Sequence, residues 1–229
     1  MSTALRFVSA HALITAPVAA LFALVFALVF SLALALPATA TAQEALRDHA
    51  VTLYGGYRDG GSFIDTASDR KLRADASPVF AASLDLGLDG ARQLQFFVSQ
   101  QSTDLALERS APAPTRLTLP LRVTYLHVGG TNFFAGPIGQ GPYVVGGLGA
   151  TLLRPGSDGY GNELRPSLNL GLGWQLPLGR HAALRAEARG YFTLIDSGGG
   201  LFCDGGCTLS IRGDGFTQGE VQLGLSLRF

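Results

Sequence analysis

Beyond residue 43 the chain alternates apolar and polar residues one by one, most cleanly near its end. In residues 217–229, Val221, Leu223, Leu225, Leu227 and Phe229 share one parity, and Glu220, Gln222, Gly224, Ser226 and Arg228 share the other. Residues 182–195 set Leu184, Ala186, Ala188, Gly190, Phe192 and Leu194 against Arg185, Glu187, Arg189, Tyr191 and Thr193. Residues 167–178 set Leu168, Leu170, Leu172, Trp174 and Leu176 against Ser167, Asn169, Gly171, Gly173 and Gln175. Successive side chains of a strand point to opposite faces, so a period of two predicts strands with one oily and one polar face. Five weaker segments follow the same rule, at 50–58, 79–88, 93–101, 117–128 and 142–153. Their apolar sets are Val51, Leu53 and Tyr57; Phe80, Ala82, Leu84 and Leu86; Leu94, Phe96 and Val98; Leu117, Leu119, Leu121, Val123 and Tyr125; and Val144, Leu148, Ala150 and Leu152. Pro120 fits poorly, because proline cannot donate to a ladder; it marks a bulge or a later strand start.

The eight segments are joined by connections of alternating length. Residues 89–92, opened by Asp89-Gly90, form a hairpin signal, residues 179–181 are also short, and 129–141 are intermediate and glycine-rich. Residues 59–78, 104–116, 154–166 and 196–216 are long. Short turns on one side and long loops on the other are the habit of membrane barrels. A soluble sandwich also alternates, but its polar faces meet water and carry Lys freely, whereas Lys71 is the only lysine here. Trp174 and Tyr125 fall toward strand ends of the apolar faces, as in an interfacial aromatic girdle. The fold expected is all-β: an eight-stranded antiparallel up-and-down barrel of the transmembrane, outer-membrane kind.

Composition adds location. In residues 1–42 Arg6 is the only charge, an apolar run spans 13–36, and Ala40-Thr41-Ala42 supplies small residues for cleavage. That pattern predicts a signal peptide over 1–42 and a mature barrel domain over 43–229. The same apolar length would also suit a spanning helix, but the small-residue exit favours cleavage. With 17 basic and 17 acidic residues the formal charge is zero, which removes the electrostatic basis for nucleic-acid binding. Cys203 and Cys207, close together in a glycine-rich stretch of an exported chain, read as a disulfide, and no histidine lies near enough to suggest zinc.

Several stretches resemble a known family: Gly55-Gly56-Tyr57-Arg58 with Gly61-Ser62-Phe63, Ser99-Gln100-Gln101-Ser102-Thr103, Tyr125-Leu126-His127-Val128-Gly129-Gly130, Gly147-Leu148-Gly149-Ala150 and Phe202-Cys203. Together with the terminal Phe229 they are similar to small, functionally undescribed proteobacterial outer-membrane β-barrels of Gram-negative bacteria. The resemblance implies an outer-membrane location. It also implies that Val221, Leu223, Leu225, Leu227 and Phe229 form a C-terminal signal for the barrel-assembly machinery.

The polar faces carry Arg58, Asp85, Arg122, Arg185, Glu187, Arg189, Glu220 and Arg228. In an eight-stranded barrel, whose interior is only just filled by side chains, these read as a lumen charge network and not as a selectivity ring. His49, His127 and His181 have no serine that spacing alone puts beside them, which argues against a lipid hydrolase. Stretches such as Val145–Ala150 lack the Lys-Ser/Thr ending of a phosphate loop and read as strand glycines. Arg212-Gly213-Asp214 is an adhesion-type tripeptide in the longest connection. The function expected is a monomeric barrel with a plugged polar lumen and a structural or surface-interaction role. Its partners would be outer-membrane lipid, the assembly machinery and an unidentified surface ligand, with no catalytic residue, cofactor or metal. The alternatives are a narrow pore or hydrophobic-solute conduit and, less favoured, an outer-leaflet lipid hydrolase.

Overall fold

The computed structural model describes residues 48–65, 70–107, 118–156, 161–195, 211–212 and 215–229. The expected signal peptide, Cys203, Cys207 and Asp214 lie outside them. The described residues form eleven strands: β1 (Ala50–Gly60), β2 (Ser62–Asp65), β3 (Arg70–Ala74), β4 (Ser77–Gly87), β5 (Arg92–Leu107), β6 (Thr118–Phe133), β7 (Gly141–Pro155), β8 (Glu163–Pro177), β9 (Ala182–Leu194), β10 (Ile211–Arg212) and β11 (Gly215–Arg228). Eight of these, β1, β4, β5, β6, β7, β8, β9 and β11, pair antiparallel in that order, and β11 returns to β1 to close the wall. The other three extend it: β2 pairs with β3 and β10, and β3 with the far end of β5. Gly60 and Gly61, with φ of 94° and 91°, separate β1 from β2, a backbone conformation that residues with a Cβ rarely adopt.

Closure is staggered. The paired residues Gly60, Gln218, Tyr191, Asn169, Gly147, Gly129, Gln95, Asp85 and Ala50 lead once around the wall and return to β1 ten residues from the start, at 50 instead of 60. Such a shear tilts the strands by roughly 40° to the axis. The connections after β4, β6 and β8 leave at one end, together with both ends of the described barrel, and the long connections leave at the other. No backbone edge is left open between the eight wall strands, which is what hydrocarbon requires of a spanning sheet.

The outward parity is apolar and exposed. Leu53, Tyr57, Phe80, Leu170, Leu172, Val221, Leu223, Leu225 and Leu227 are all more than half exposed, an arrangement that water penalises and lipid accepts. Trp174, 57% exposed, sits on this face at the short-turn end. The face assignment fails on β6. Leu121, Val123 and Tyr125, expected toward lipid, are at most 2% exposed and point inward, while Arg122 and Thr124 take the outward parity. Tyr125 is therefore no girdle residue. Pro120 lies inside β6, opposite Asp104 on the outward face, so β6 neither begins after it nor breaks at it.

Candidate functional site: the filled barrel interior

The interior divides into layers along the axis. Inward positions alternate with the lipid-facing ones, and in the middle of the wall they bring together three arginines and three carboxylates, all at most 5% exposed: Arg58, Arg185 and Arg189 with Asp85, Glu187 and Glu220. Opposite charges in equal number are what such a site requires, because an unpaired buried charge costs several kcal/mol.

Each arginine is held on several sides. Arg185 reaches across from β9 and donates Nη1 to Asp85 Oδ2 on β4 at 2.7 Å, to Tyr54 Oη at 3.1 Å and to Thr52 Oγ1 at 3.3 Å, while its Nε donates to Gln175 Oε1 at 2.9 Å. Asp85 also accepts from Ser83 Oγ at 2.8 Å and from Gln95 Nε2 at 2.7 Å. Arg189 donates to Glu187, two residues away on the same face, and its Nη2 donates to Gln95 Oε1 at 2.7 Å. Its guanidinium also lies 3.8 Å from the centre of the Phe97 ring. Glu187 is completed by Tyr143 Oη and Gln222 Nε2, each at 2.7 Å. Gln95 links the two groups, accepting from Arg189 and donating to Asp85.

The third pair sits on the closing seam. Arg58 of β1 donates Nε to Glu220 Oε2 of β11 at 2.7 Å, its direct register partner, and bonds Ser99 on β5. Its guanidinium lies 4.7 and 4.9 Å from the Tyr125 and Tyr191 rings, which stack on each other at 4.2 Å. Planar, delocalised guanidinium suits both contacts, which an ammonium would not reproduce.

Glycines make room for this filling. A Cβ at Gly173 would fall 2.2 Å from the Tyr143 ring, and one at Gly224 would fall 2.4 Å from the Tyr54 ring. Gly173 and Gly224 thus serve as recesses for inward aromatics.

Above the charged layer, toward the long connections, the filling is apolar: Phe63, Leu72, Leu105, Leu121, Val123, Leu153, Ile195 and Phe216 form one cluster. Phe63 stacks on Phe216 with centroids 4.7 Å apart. At the other end Phe133, Ile138, Tyr143 and Val145 form a smaller cluster. The lumen is polar in large part, from Gln93 and Gln175 at one end to Gln101 and Gln218 at the other, with these apolar clusters set among the polar residues.

Two residues expected in the charge network stand outside it. Arg122 faces outward, for the reason that misplaced β6: on the upper part of that strand the inward parity is apolar. Arg228 lies at the short-turn rim, donating to the carbonyls of Gly179 and Arg180 at 3.3 and 3.4 Å. Val221, Leu223, Leu225, Leu227 and Phe229 all point outward, and the Phe229 amide donates to His49 O at 3.1 Å.

Sequence spacing also missed a contact. His127 Nε2 lies 3.0 Å from Ser167 Oγ, with the imidazole stacked among Tyr125 and Tyr191. The residues occupy β6 and β8, and the register runs His127, Gly149, Ser167 across β7. Gly149 has no side chain to separate them. His127 Nδ1 has no hydrogen-bond partner among the described residues, so no carboxylate orients the ring, and both residues are at most 5% exposed. A nucleophile needs an oriented base and access for a substrate, and this pair has neither.

No family model matches the sequence, and a search of the curated proteins returns no match. Among solved structures, outer membrane protein OprG from Pseudomonas aeruginosa superposes with a TM-score of 0.51 at 10% identity, over 81% of this chain and 98% of that one. The fold is that of the small outer-membrane β-barrels. Outer membrane protein AlkL (TM-score 0.48, 15% identity, 85% and 95% covered) and Neisserial surface protein A (0.44, 13%, 80% and 97%) are also similar. An outer-membrane location goes with this fold, and membrane barrels in general set their longer loops outside and their short turns in the periplasm.

Proposed function

We propose that this outer-membrane barrel is a closed, non-conducting scaffold that presents its long external connections to surface ligands. The observation that carries the reading is the interior. Three arginine–carboxylate pairs fill the middle of the lumen: Arg185–Asp85 reaches across it from β9 to β4, Arg58 and Arg189 of the other two pairs bond Ser99 and Gln95 on β5, and the Phe63–Phe216 cluster covers them from outside. A narrow pore would require that network to part, and a laterally opening conduit would require a break in a wall whose strands pair all the way round. The buried His127–Ser167 pair, with no orienting acid and no access, supports a role without catalysis. Insertion through the assembly machinery, guided by the outward set from Val221 to Phe229, and a monomeric state belong to the same proposal.

Planar-bilayer recording with purified protein tests it. A plugged scaffold gives no steady current steps at moderate voltage, and reproducible unitary steps abolished by antibody to the barrel would refute the reading. Release of fatty acid from labelled lipid would refute the non-catalytic part.

A further inference from the structure

Two arginines stand side by side on the outer wall. Arg122 of β6 and Arg154 of β7 are direct register partners, and both take the outward parity, with Leu121, Val123 and Leu153 beside them buried at 2% or less. Opposed residues in such a ladder hold their Cβ atoms about 5 Å apart, and like charges so placed destabilise the pair. A repulsive pair on a lipid-facing wall needs a compensating anion.

Their height on the wall says which anion. Along β7 the outward residues run Val144, Gly146, Leu148, Ala150, Leu152 and then Arg154. Ten residues separate Val144 from Arg154; at about 3.3 Å each along a strand tilted by roughly 40°, they climb ~25 Å, the height of a barrel's apolar band. The arginines therefore emerge where the hydrocarbon ends and the outer headgroups begin. Arg122 Nε is shielded from solvent and makes no hydrogen bond among the described residues. A shielded, unsatisfied donor of this kind calls for an acceptor. Ser102 stands opposite Arg122 on its other side, and Thr124 follows it on the same face. Asp104, opposite Pro120, is the nearest carboxylate on this face by register, but it forms no ion pair with either arginine. Arg73, exposed at the same end of the barrel, already pairs with Asp59 at 3.2 Å.

We propose that Arg122 and Arg154 form a binding site for the phosphomonoester headgroup of an outer-leaflet lipid, clamped between two guanidiniums with Ser102 and Thr124 at its edge. A phosphate can accept from both forks at once, and a dianion offsets the repulsion that a single carboxylate would only halve. The site rests on the outer-membrane reading of the fold but is independent of whether the lumen conducts.

Native mass spectrometry of the full barrel, released from micelles containing phosphatidic acid and phosphatidylcholine, tests it. The expected result is retention of phosphatidic acid by the wild type, weakened roughly tenfold or more in Arg122→Gln/Arg154→Gln and only partly restored in Arg122→Lys/Arg154→Lys, which keeps the charges and loses the forks. Arg73→Gln should bind like wild type. Should the double glutamine variant fail to fold by circular dichroism, Arg154→Gln alone, at the more exposed position, carries the comparison. Equal retention by wild type and folded variants overturns the site, as does displacement of the lipid by inorganic phosphate, which would assign a free-phosphate site. A barrel that took up no lipid of either kind would instead count against the membrane reading itself.

Discussion

Replacing Arg185 with Met tests whether the lumen is held together by charge pairing. Arg185 is 1% exposed and donates to Asp85, Gln175, Tyr54 and Thr52 within 3.3 Å. Methionine fills much of the same space but leaves Asp85, itself 0% exposed, with only Ser83 and Gln95 as donors. Stranding one member of a buried pair costs about 3–5 kcal/mol, because the remaining charge stays in a medium that solvates it poorly. Asp85→Asn strands Arg185 in the converse way and should cost a similar amount. The double variant Asp85→Asn/Arg185→Met removes both charges, so its loss should fall short of the sum of the singles by about 2 kcal/mol or more. Reversible urea unfolding of the barrel in detergent, followed by Trp174 fluorescence, measures all four states. Additive losses, or a single-variant loss below about 1 kcal/mol, would refute the account: the Arg185–Asp85 contact would then be incidental to a lumen held by packing.

Three further outcomes follow from the same structure. Gly173→Ala should destabilise by about 1–3 kcal/mol, because its Cβ would meet the Tyr143 ring, whereas Gly55→Ala, with nothing within 4 Å, should lie within about 0.5 kcal/mol of wild type; equal effects in the same unfolding assay would contradict the recess assignment. Phe216→Ala removes a fully buried ring stacked on Phe63 and should cost about 3–5 kcal/mol without opening a channel, since the charged layer beneath still bridges the lumen; a steady current through this variant would show that the apolar cluster is the plug. In the short turn between β4 and β5, Arg92 donates Nε to Asp89 at 2.6 Å and the Ala91 amide donates at 2.9 Å, pulling the Asp89 carboxyl down to about 2. Because the folded value is depressed, this turn contact is complete above the ordinary carboxylate value near 4 and is lost as pH falls toward 2; an Ala91 amide titration with its midpoint near 4 would contradict it.

The strand pattern revealed the wall because lipid enforces one rule on every outward position of the band. On β8, β9 and β11 that rule and the polar filling agree, and face assignment from alternation was correct residue by residue. On β6 it inverted, since alternation separates two faces without saying which is inside, and the lumen beside the upper part of β6 also takes apolar side chains. Leu126 and Val128, sharing the parity of Arg122, and His127, sharing that of Tyr125, held the signal that could have fixed the sign. The charged residues of the network could be named from their parity, but their partners could not. Asp85 and Arg185 stand 100 residues apart, on strands that are not neighbours, and only the diameter of the closed barrel brings them into contact. His127 and Ser167 meet through a glycine on an intervening strand, which no periodicity encodes.

Arg58 and Glu220, 162 residues apart in sequence, face each other across the junction of the first and last wall strands. A one-residue slip at that junction would turn every side chain of one strand to the wrong face. A two-residue slip keeps the faces and would otherwise escape notice, since it only moves one oily row along another. It would, however, set Arg58 against Gln218 or Gln222 and leave Glu220 without its cation, a penalty of several kcal/mol in a water-poor interior. The ion pair thus acts as a proofreader of closure: the barrel discriminates against misregistered sealing at the one joint where chain connectivity offers no guidance.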